Sequence, residues 1–283
     1  MNPTRKRFLS GAIAALGLLI LPPLQAKDPS SITFATEGGF PPYNQTTPSG
    51  EIVGFEPDMI KEIAKRAGFD YKIVPQNWSG MIAGLLDKKY DAIFDAISIT
   101  PKRQETINFT HPYINGGSGF VTTKDGSVTS LPGSGVKVSL SDAAATQPAI
   151  DSLAKVLKGK TVGVQVATIQ ADFLKKYFGD IATIRTYPNG KDTFFDLDAG
   201  RVDMVMAAVP NLTAYVKRSG GNGLLTGYTF QNGILGEGSA IGLRKEDTAL
   251  QAKMNAAIDS MVKDGTMKAL IIKWFGIDLA PKA

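Results

Sequence analysis

Short runs of strand-forming residues alternate with amphipathic helices along this chain, and that alternation constrains the fold more than any other feature. Ser31–Thr36 and residues 71–74 are typical of strands. Between them, residues 58–67 place apolar side chains at helical spacing and end before Gly68, and a second helix is predicted over residues 79–89. This order predicts α/β layers built around a largely parallel sheet.

The alternation returns in the second half of the chain. Residues 160–164 predict a strand, Ile169–Phe178 a helix and residues 201–206 another strand, so two units of similar construction predict two lobes. Residues 125–149 between them are rich in Gly, Ser, Ala, Thr and Pro, which indicates a surface insertion rather than core. Residues 247–274 predict two helices, interrupted at an Asp-Gly pair, that pack back on a lobe.

The N-terminus has the pattern of a cleaved export signal. Basic residues at 5–7 precede an apolar run at 8–21, and Ala26 is a small residue where signal peptidase would cut. The apolar run is shorter than the roughly 20 residues that a membrane-spanning helix needs, which disfavours an anchor. We therefore expect residues 1–26 to be removed and the mature protein to lie free in the periplasm.

Charge and composition exclude several classes of function. Removing residues 1–26 takes away three positive charges and no acidic ones, so the net charge falls from +5 to +2, and no basic run indicates nucleic-acid binding. The chain has no cysteine, and His111 is its one histidine. Disulfides and the usual His/Cys sets of zinc sites and nucleophilic catalysis are therefore excluded, and we expect no cofactor or metal.

Residues 95–103 predict a site for an anion. A strand end runs into a helix in which Thr100 is the cap and Pro101 takes the first helical position. A helix N-terminus presents free N–H groups, and Arg103 adds a planar fork that suits a carboxylate. The alternative, in which Arg103 pairs with a structural carboxylate on its own surface, stays open.

Two further features can complete such a site. A second strand-to-helix turn, at residues 163–170, offers Thr168, which is either an anion contact or simply a helix cap. Three aromatic residues, Phe40, Tyr43 and Trp78, follow turns at strand ends, where a ring can stack on a flat or apolar part of a ligand. Isolated aromatic side chains usually belong to the core, so both interpretations stay open.

Four ordered motifs carry a resemblance to a known family. They are residues 52–58 (IVGFEPD), 97–103 (ISITPKR), 157–164 (LKGKTVGV) and 242–247 (GLRKED). In order and spacing they resemble the polar amino-acid-binding proteins of ABC importers, the group that includes the histidine and lysine/arginine/ornithine receptors. The resemblance covers residues 27–280 and is specific for the family rather than for one ligand.

The resemblance implies a two-lobed α/β fold, the type II periplasmic-binding-protein fold, with two hinge-crossing strands. The chain would pass from the first lobe to the second near residues 114–118 and return near residues 224–230. Lobe 1 would then comprise residues 27–116 and 227–283, and lobe 2 residues 117–226.

The resemblance also implies the ligand-binding residues. Arg103 would hold the ligand carboxylate with help from Ser98 and Thr168, and Ala96 would offer its backbone carbonyl to the ligand amine. The remaining predicted contacts are Phe40 and Trp78 on either side of the ligand side chain, with Glu37, Asp95, Gln165 and Gln170 at the far end of the pocket.

One position departs from the family pattern. Typical members bind the α-ammonium group of the ligand with an aspartate, and Ala208 stands there instead. Losing that charge-assisted bond would cost a free α-amino acid about 1.5–3 kcal/mol of binding free energy. Together with Glu37, Trp78 and the insertion after Asp125, this departure resembles receptors for opines, which are amino acids whose nitrogen carries a second carbon chain. Glu37 and Asp95 would then receive a guanidinium, an ammonium or sugar hydroxyls, or else are solvated or locally capped carboxylates.

The function implied is that of a solute-binding receptor, not an enzyme. It would bind an amino acid or an opine as a monomer, close about a hinge, and deliver the ligand to the permease and ATPase subunits of an ABC importer. Closure follows because Arg103 and Thr168 lie on different lobes and contact one ligand only in the closed form. The alternative is a periplasmic enzyme on the same fold, similar to the cyclohexadienyl dehydratases, with Glu37 or Asp95 as the general acid.

Overall fold

The computed structural model of the protein describes residues 31–281. Its strands are β1 (Ser31–Thr36), β2 (Gly39–Phe40), β3 (Asn44–Thr46), β4 (Ile52–Val53), β5 (Asp70–Pro75), β6 (Ala92–Ile93), β7 (Asn108–Phe109), β8 (Ser118–Thr123), β9 (Lys137–Ser139), β10 (Thr161–Gln165), β11 (Thr183–Tyr187), β12 (Met204–Ala208), β13 (Gly223–Gln231) and β14 (Gly242–Leu243). Its α-helices are α1 (Phe55–Ala67), α2 (Met81–Leu86), α3 (Pro101–Gln104), α4 (Ala143–Leu157), α5 (Ile169–Phe178), α6 (Gly190–Asp198), α7 (Val209–Arg218), α8 (Thr248–Lys263) and α9 (Thr266–Phe275). The predicted export signal, residues 1–26, lies outside the described residues.

The first lobe is built on a sheet with the strand order β5-β1-β6-β14-β7. β1 runs parallel to β5 and β6, whereas β14 is antiparallel to both of its neighbours. The strands predicted at Ser31–Thr36 and at residues 71–74 are confirmed as β1 and β5. Helix α1 begins at Phe55 rather than at residue 58, because Gly54, with φ +142°, turns the chain directly into the helix.

The second predicted helix is shorter than its apolar spacing indicates. Trp78–Gly80 forms a 3₁₀ turn, and α2 itself ends at Leu86. Lys88 takes a left-handed φ of +59°, which no residue inside an α-helix can adopt. The prediction of a continuous helix over residues 79–89 is therefore wrong at both ends.

The second lobe is built on a sheet with the strand order β11-β10-β12-β8-β13-β9. β10 runs parallel to β11 and β12, and β8 is antiparallel to β12 and β13. The predicted helix Ile169–Phe178 is confirmed as α5, and the two predicted strands appear as β10 and β12 with shifted ends. Apolar clusters on both faces of this sheet form its core.

Residues 125–149 were expected to be a surface insertion, and the structure corrects that expectation. The segment contains β9, which pairs in parallel with β13, and the first turns of α4. Val128, Leu131, Val138 and Ala149 are buried in the core of the second lobe. Most residues of the segment are small or polar, so its overall composition is that of a surface loop. A few apolar side chains spaced along it are nevertheless buried, and composition alone does not identify them.

Two chain crossings join the lobes. Ile114 forms a β-bridge with Ser239 on the side of the first lobe, and Ser118 opens β8 in the sheet of the second lobe. The predicted return near residues 224–230 lies instead inside β13, which pairs with β8 and β9 as far as Gln231. The second sheet thus extends beyond the predicted boundary at residue 226, because hydrogen bonding from two neighbours keeps the strand in that sheet.

The C-terminal helices complete the first lobe. The two C-terminal helices pack back on a lobe, as the sequence predicted, and their partner there is α1, with Met254, Ile258 and Phe275 buried in the common core. Gly265 separates the two helices in a left-handed conformation. Within residues 31–281, no helix is long and apolar enough to cross a membrane.

Candidate ligand-binding cleft

A cleft of about 670 Å³ lies between the lobes. Both lobes contribute to its walls, and nine of the ten predicted ligand-binding residues line it: Phe40, Trp78, Asp95, Ala96, Ser98, Arg103, Gln165, Thr168 and Gln170. The tenth, Glu37, is not among the lining residues but accepts hydrogen bonds from Gln165 Nε2 at 3.1 and 3.0 Å. The sequence thus selected residues that the fold brings together, while their roles toward a ligand stay predictions.

Arg103 projects from the first turn of α3 at one end of the cleft. The helix is capped as predicted, since Thr100 Oγ1 accepts a hydrogen bond from Arg103 N at 3.2 Å. The guanidinium donates through Nη1 to the carbonyl oxygen of Ser98 at 3.0 Å, and its carbon lies 5.2 Å from the centre of the Trp78 ring. These contacts hold the guanidinium of Arg103 in place, and most of its N–H groups remain free to donate to a ligand.

The charge of Arg103 is not neutralised within the described part of the chain. No carboxylate oxygen of residues 31–281 forms a salt bridge with it, and Asp172 acts on it only at longer range. The alternative of a structural carboxylate partner therefore finds no support there. Burial lowers the pKa of Arg103 to about 10, which still keeps the guanidinium protonated at neutral pH.

Thr168 faces the cleft from the second lobe at the start of α5. Its Oγ1 accepts from Ala171 N at 3.2 Å and donates to the carbonyl oxygen of Gln165 at 2.8 Å, so the hydroxyl serves as the helix cap. Nearby, Gln170 Nε2 donates to Ser118 Oγ at 2.8 Å. Thr168, Ile169 and Gln170, at the start of α5, nevertheless line the same cleft as Arg103, and a helix N-terminus carries N–H groups without intrahelical partners.

A buried acidic group lies at another wall of the cleft. Asp95 is 5% exposed, and its Oδ1 accepts from Asn44 Nδ2 at 2.6 Å and from Thr36 Oγ1 at 3.3 Å. The same Asn44 nitrogen donates to Glu56 Oε2 at 2.8 Å. Burial, strengthened by the neighbouring carboxyls of Glu56 and Glu37, raises the pKa of Asp95 well above its usual range.

Glu56 is the functional candidate that sequence reasoning missed. It is fully buried, and it accepts hydrogen bonds from Ala96 N at 2.7 Å and from the hydroxyl of Tyr113. It thereby holds Ala96 in a left-handed conformation with φ +49°. The sequence offers one signal for it, which is its place as an acidic residue in the motif at residues 52–58.

The aromatic residues divide between the wall and the core. Phe40 and Trp78 are partly exposed on the cleft, as predicted for stacking residues. Tyr43 is 2% exposed and stacks on Phe40 with ring centres 5.6 Å apart. It therefore forms the floor of the cleft and belongs to the core as well.

Three residue pairs form hydrogen bonds between the lobes around the cleft. Besides the pair Gln165–Glu37, Trp78 Nε1 donates to the carbonyl oxygen of Ala167 at 3.2 Å. Asn211 Nδ2 donates to the carbonyl oxygen of Pro41 at 2.8 Å. The structure therefore shows the lobes in contact, which is the closed arrangement of a two-lobed protein. Partial burial raises the pKa of Glu37, although its bond from Gln165 opposes that effect.

Ala208 ends β12 at the wall of the cleft, where the sequence placed it. It also lines a small adjoining chamber. The chamber is bounded by Phe40, Gln165, Thr168, Gln170, Gly190, Thr193, Phe194, Met206, Ala207 and Ala208. None of these side chains is charged, so the space beside Ala208 suits an uncharged group.

Comparison with known proteins assigns the family. Residues 32–277 match the bacterial extracellular solute-binding proteins, family 3. The chain belongs to this family. The match spans both lobes and every residue of the cleft named above, so the predicted family and fold are confirmed.

The relatives are named as binding proteins. The octopine-binding periplasmic protein of Rhizobium meliloti is 37% identical over 95% of this chain and 98% of its own length. The L-arginine-binding protein of Pseudomonas aeruginosa is 31% identical over 97% of this chain and 98% of its own. A periplasmic His/Glu/Gln/Arg/opine family-binding protein from Silicibacter pomeroyi, solved with lysine, is 34% identical with a TM-score of 0.71, covering 89% of this chain and all of that one. The chain is thus similar to proteins that are named as binding proteins.

Proposed function

We propose that this protein is the periplasmic receptor of an ABC importer and binds an amino acid or an N-substituted, opine-like derivative by carboxylate capture and hinge closure. The observation that carries the proposal is that Arg103 of one lobe and the α5 N-terminus at Thr168 of the other line a single cleft. A ligand carboxylate between them gains charge-assisted hydrogen bonds from both lobes only when the cleft is closed.

Arg103 is the main determinant of carboxylate binding in this proposal. Its guanidinium is desolvated, fixed by Ser98 and Trp78, and has no ion-pair partner in residues 31–281. A buried cation is costly without a counter-charge, and a ligand carboxylate supplies that charge in the geometry that the fork prefers. The free N–H groups of the α5 N-terminus favour the same negative charge from the opposite lobe.

Ala208 and its chamber favour an opine-like ligand over a free α-amino acid. An aspartate at this wall would bind a primary ammonium group, whereas alanine leaves the amine without that partner and leaves space beside it. The uncharged chamber continues from Ala208 toward Phe194 and Met206. A short carbon branch on the ligand nitrogen can enter this space and gain apolar contact.

Export and partners follow from the family and the N-terminal pattern. The basic and apolar residues before Ala26 would direct the chain to the periplasm, where the mature monomer would meet the permease and ATPase subunits of its importer. By their names, the relatives above are an octopine-binding periplasmic protein and an L-arginine-binding protein.

The direct experiment is a thermal-shift screen of the mature protein against free amino acids and their N-substituted derivatives, followed by calorimetry. We expect Arg103→Ala to weaken binding of any compound found by about 30-fold or more, equivalent to about 2 kcal/mol. Arg185→Ala is the matched control, because Arg185 is an exposed arginine that faces Asp196 on the surface. Equal binding by wild type and Arg103→Ala would contradict the proposal.

The enzymatic alternative makes a different prediction in the same assay. A dehydratase would convert prephenate in the presence of catalytic amounts of protein, with Asp95 or Glu37 as the acid. We expect the protein to form no product from prephenate and to bind its own ligand only stoichiometrically. Product formation that Asp95→Asn abolishes would favour the enzyme.

A further inference from the structure

One amide nitrogen joins two buried carboxyl groups behind the cleft. Asn44 Nδ2 donates to Asp95 Oδ1 at 2.6 Å and to Glu56 Oε2 at 2.8 Å, so an oxygen of each acid lies within hydrogen-bonding distance of the same atom. Asn44 and Glu56 are fully buried, and Asp95 is nearly so. Two carboxylates this close and this dry repel each other strongly, and such pairs ordinarily retain a proton.

The contacts distinguish the two members of the pair. Glu56 accepts from three donors, namely Asn44 Nδ2, Ala96 N and the hydroxyl of Tyr113. It also lies in the first turn of α1, where the positive end of the helix favours a negative charge. These interactions stabilise an ionised Glu56, although burial opposes them and raises its pKa.

Asp95 lacks comparable support. Both of its described hydrogen bonds end on Oδ1, and no donor of residues 31–281 reaches Oδ2, while the residue lines the cleft. No lysine or arginine in that range forms a salt bridge with it. The titratable groups that interact with Asp95 from the surrounding elements are Glu37, Glu56 and Tyr113, while Tyr43 and the cation Arg103 line the same cleft.

We propose that Asp95 carries one proton in the ligand-free protein because ionised Glu56 lies behind it, and that a cationic group of the ligand displaces this proton when it binds to Asp95. This inference rests on the proposed function, since it concerns the same cleft. The proton leaves to solvent, and the ligand's guanidinium or ammonium replaces it as the positive partner of Asp95. Glu56 is thus a positioning residue that determines specificity without touching the ligand.

The consequence is a cleft with two different ends. Arg103 selects a carboxylate, whereas the Asp95–Glu56 pair accepts either a proton or a cation. A ligand with a cationic side chain gains an ion pair in a dry site, and a neutral isostere of the same shape cannot displace the proton. The affinity for the cationic ligand should therefore increase from about pH 5 to pH 8, while that for the neutral isostere stays nearly constant.

The proton can be tested without any ligand. Infrared spectra of the ligand-free protein at neutral pH should contain the carbonyl band of a protonated carboxyl group. Asp95→Asn should remove the band, and Glu56→Gln should weaken it because the repelling charge is gone. Asp142→Asn, at an exposed helix cap, should leave it unchanged. Absence of the band in folded wild-type protein would overturn the inference, whatever the ligand is.

Exchange with the ligand is tested by calorimetry with arginine and with citrulline, its neutral isostere, in phosphate and in Tris buffer. The difference between buffers should correspond to release of about one proton per bound arginine and to none for citrulline or for Asp95→Asn. Arginine binding without proton release would overturn the exchange. If neither compound binds and the infrared band is present, the proton on Asp95 stands, while its exchange for the cationic side chain of a free amino acid fails.

Discussion

Trp78 of the first lobe donates its indole N–H to the carbonyl oxygen of Ala167 in the second lobe, at 3.2 Å across the mouth of the cleft. Ala167 has a left-handed φ of +58°. A non-glycine residue in this conformation costs about 1–2 kcal/mol, so the closed arrangement includes a strained peptide whose oxygen serves as an acceptor.

Removing the indole donor should weaken closure. Trp78→Phe keeps an aromatic ring but loses the bond to Ala167, and a net hydrogen bond is worth about 0.5–1.5 kcal/mol. We expect the affinity for the ligand found in the screen to fall about two- to twelvefold in calorimetry. Trp274→Phe is the control, because it removes an indole bond to Asp58 within the first lobe. Equal losses for both variants would refute a role in closure.

Restoring a carboxylate beside the amine should change ligand preference. Ala208→Asp places a negative charge at the wall of the cleft and at the entrance to the uncharged chamber. We expect free α-amino acids to bind about 10- to 100-fold more tightly, and N-substituted derivatives to bind more weakly, because the branch meets a charged group. Ala199→Asp adds the same charge at an exposed position and should change neither affinity. Competition binding with both ligand classes measures the switch.

The buried carboxyl of Asp95 should make folding stability depend on pH. Because burial raises the pKa of Asp95, the folded protein binds more protons than the unfolded chain between the usual and the raised value. The free energy of unfolding must therefore decrease as pH rises through that window. We expect the melting temperature of wild type to fall more from about pH 5 to pH 8 than that of Asp95→Asn, which cannot ionise. If differential scanning calorimetry gives the same pH dependence of melting temperature for wild type and Asp95→Asn, Asp95 does not have this effect on stability.

Gly54 should be irreplaceable for the start of α1. Its φ of +142° is accessible almost only to glycine, and a Cβ there would overlap the carbonyl oxygen of Tyr43. We expect Gly54→Ala to lower the free energy of unfolding by about 3 kcal/mol or more, through strain and overlap together. Gly50 also has a positive φ, but a Cβ added there would meet open space. We therefore expect Gly50→Ala to lower the free energy of unfolding by only about 1 kcal/mol. Chemical denaturation of the two variants measures both stability losses, and equal losses would contradict the prediction.

Much of the fold and of the cleft could be predicted because the information is local. The strand Ser31–Thr36, the helix Ile169–Phe178 and the cap at Thr100 follow from periodicity and capping chemistry within a few residues. Burial within residues 125–149 was missed, because composition does not show which side chains a distant strand will cover. The end of β13 at Gln231 was missed because its pairing partners, β8 and β9, are distant in sequence.

The sequence by itself determined the family, the two α/β units and the residues of the cleft, because these depend on residue types, motif order and short-range geometry. Only the tertiary structure decided which atoms meet. It placed Glu56 behind Asp95 through the amide of Asn44, joined Trp78 to Ala167, and opened an uncharged chamber beside Ala208. Hydrogen bonds and desolvation act over a few ångströms between residues far apart in the chain, and packing alone brings those residues together.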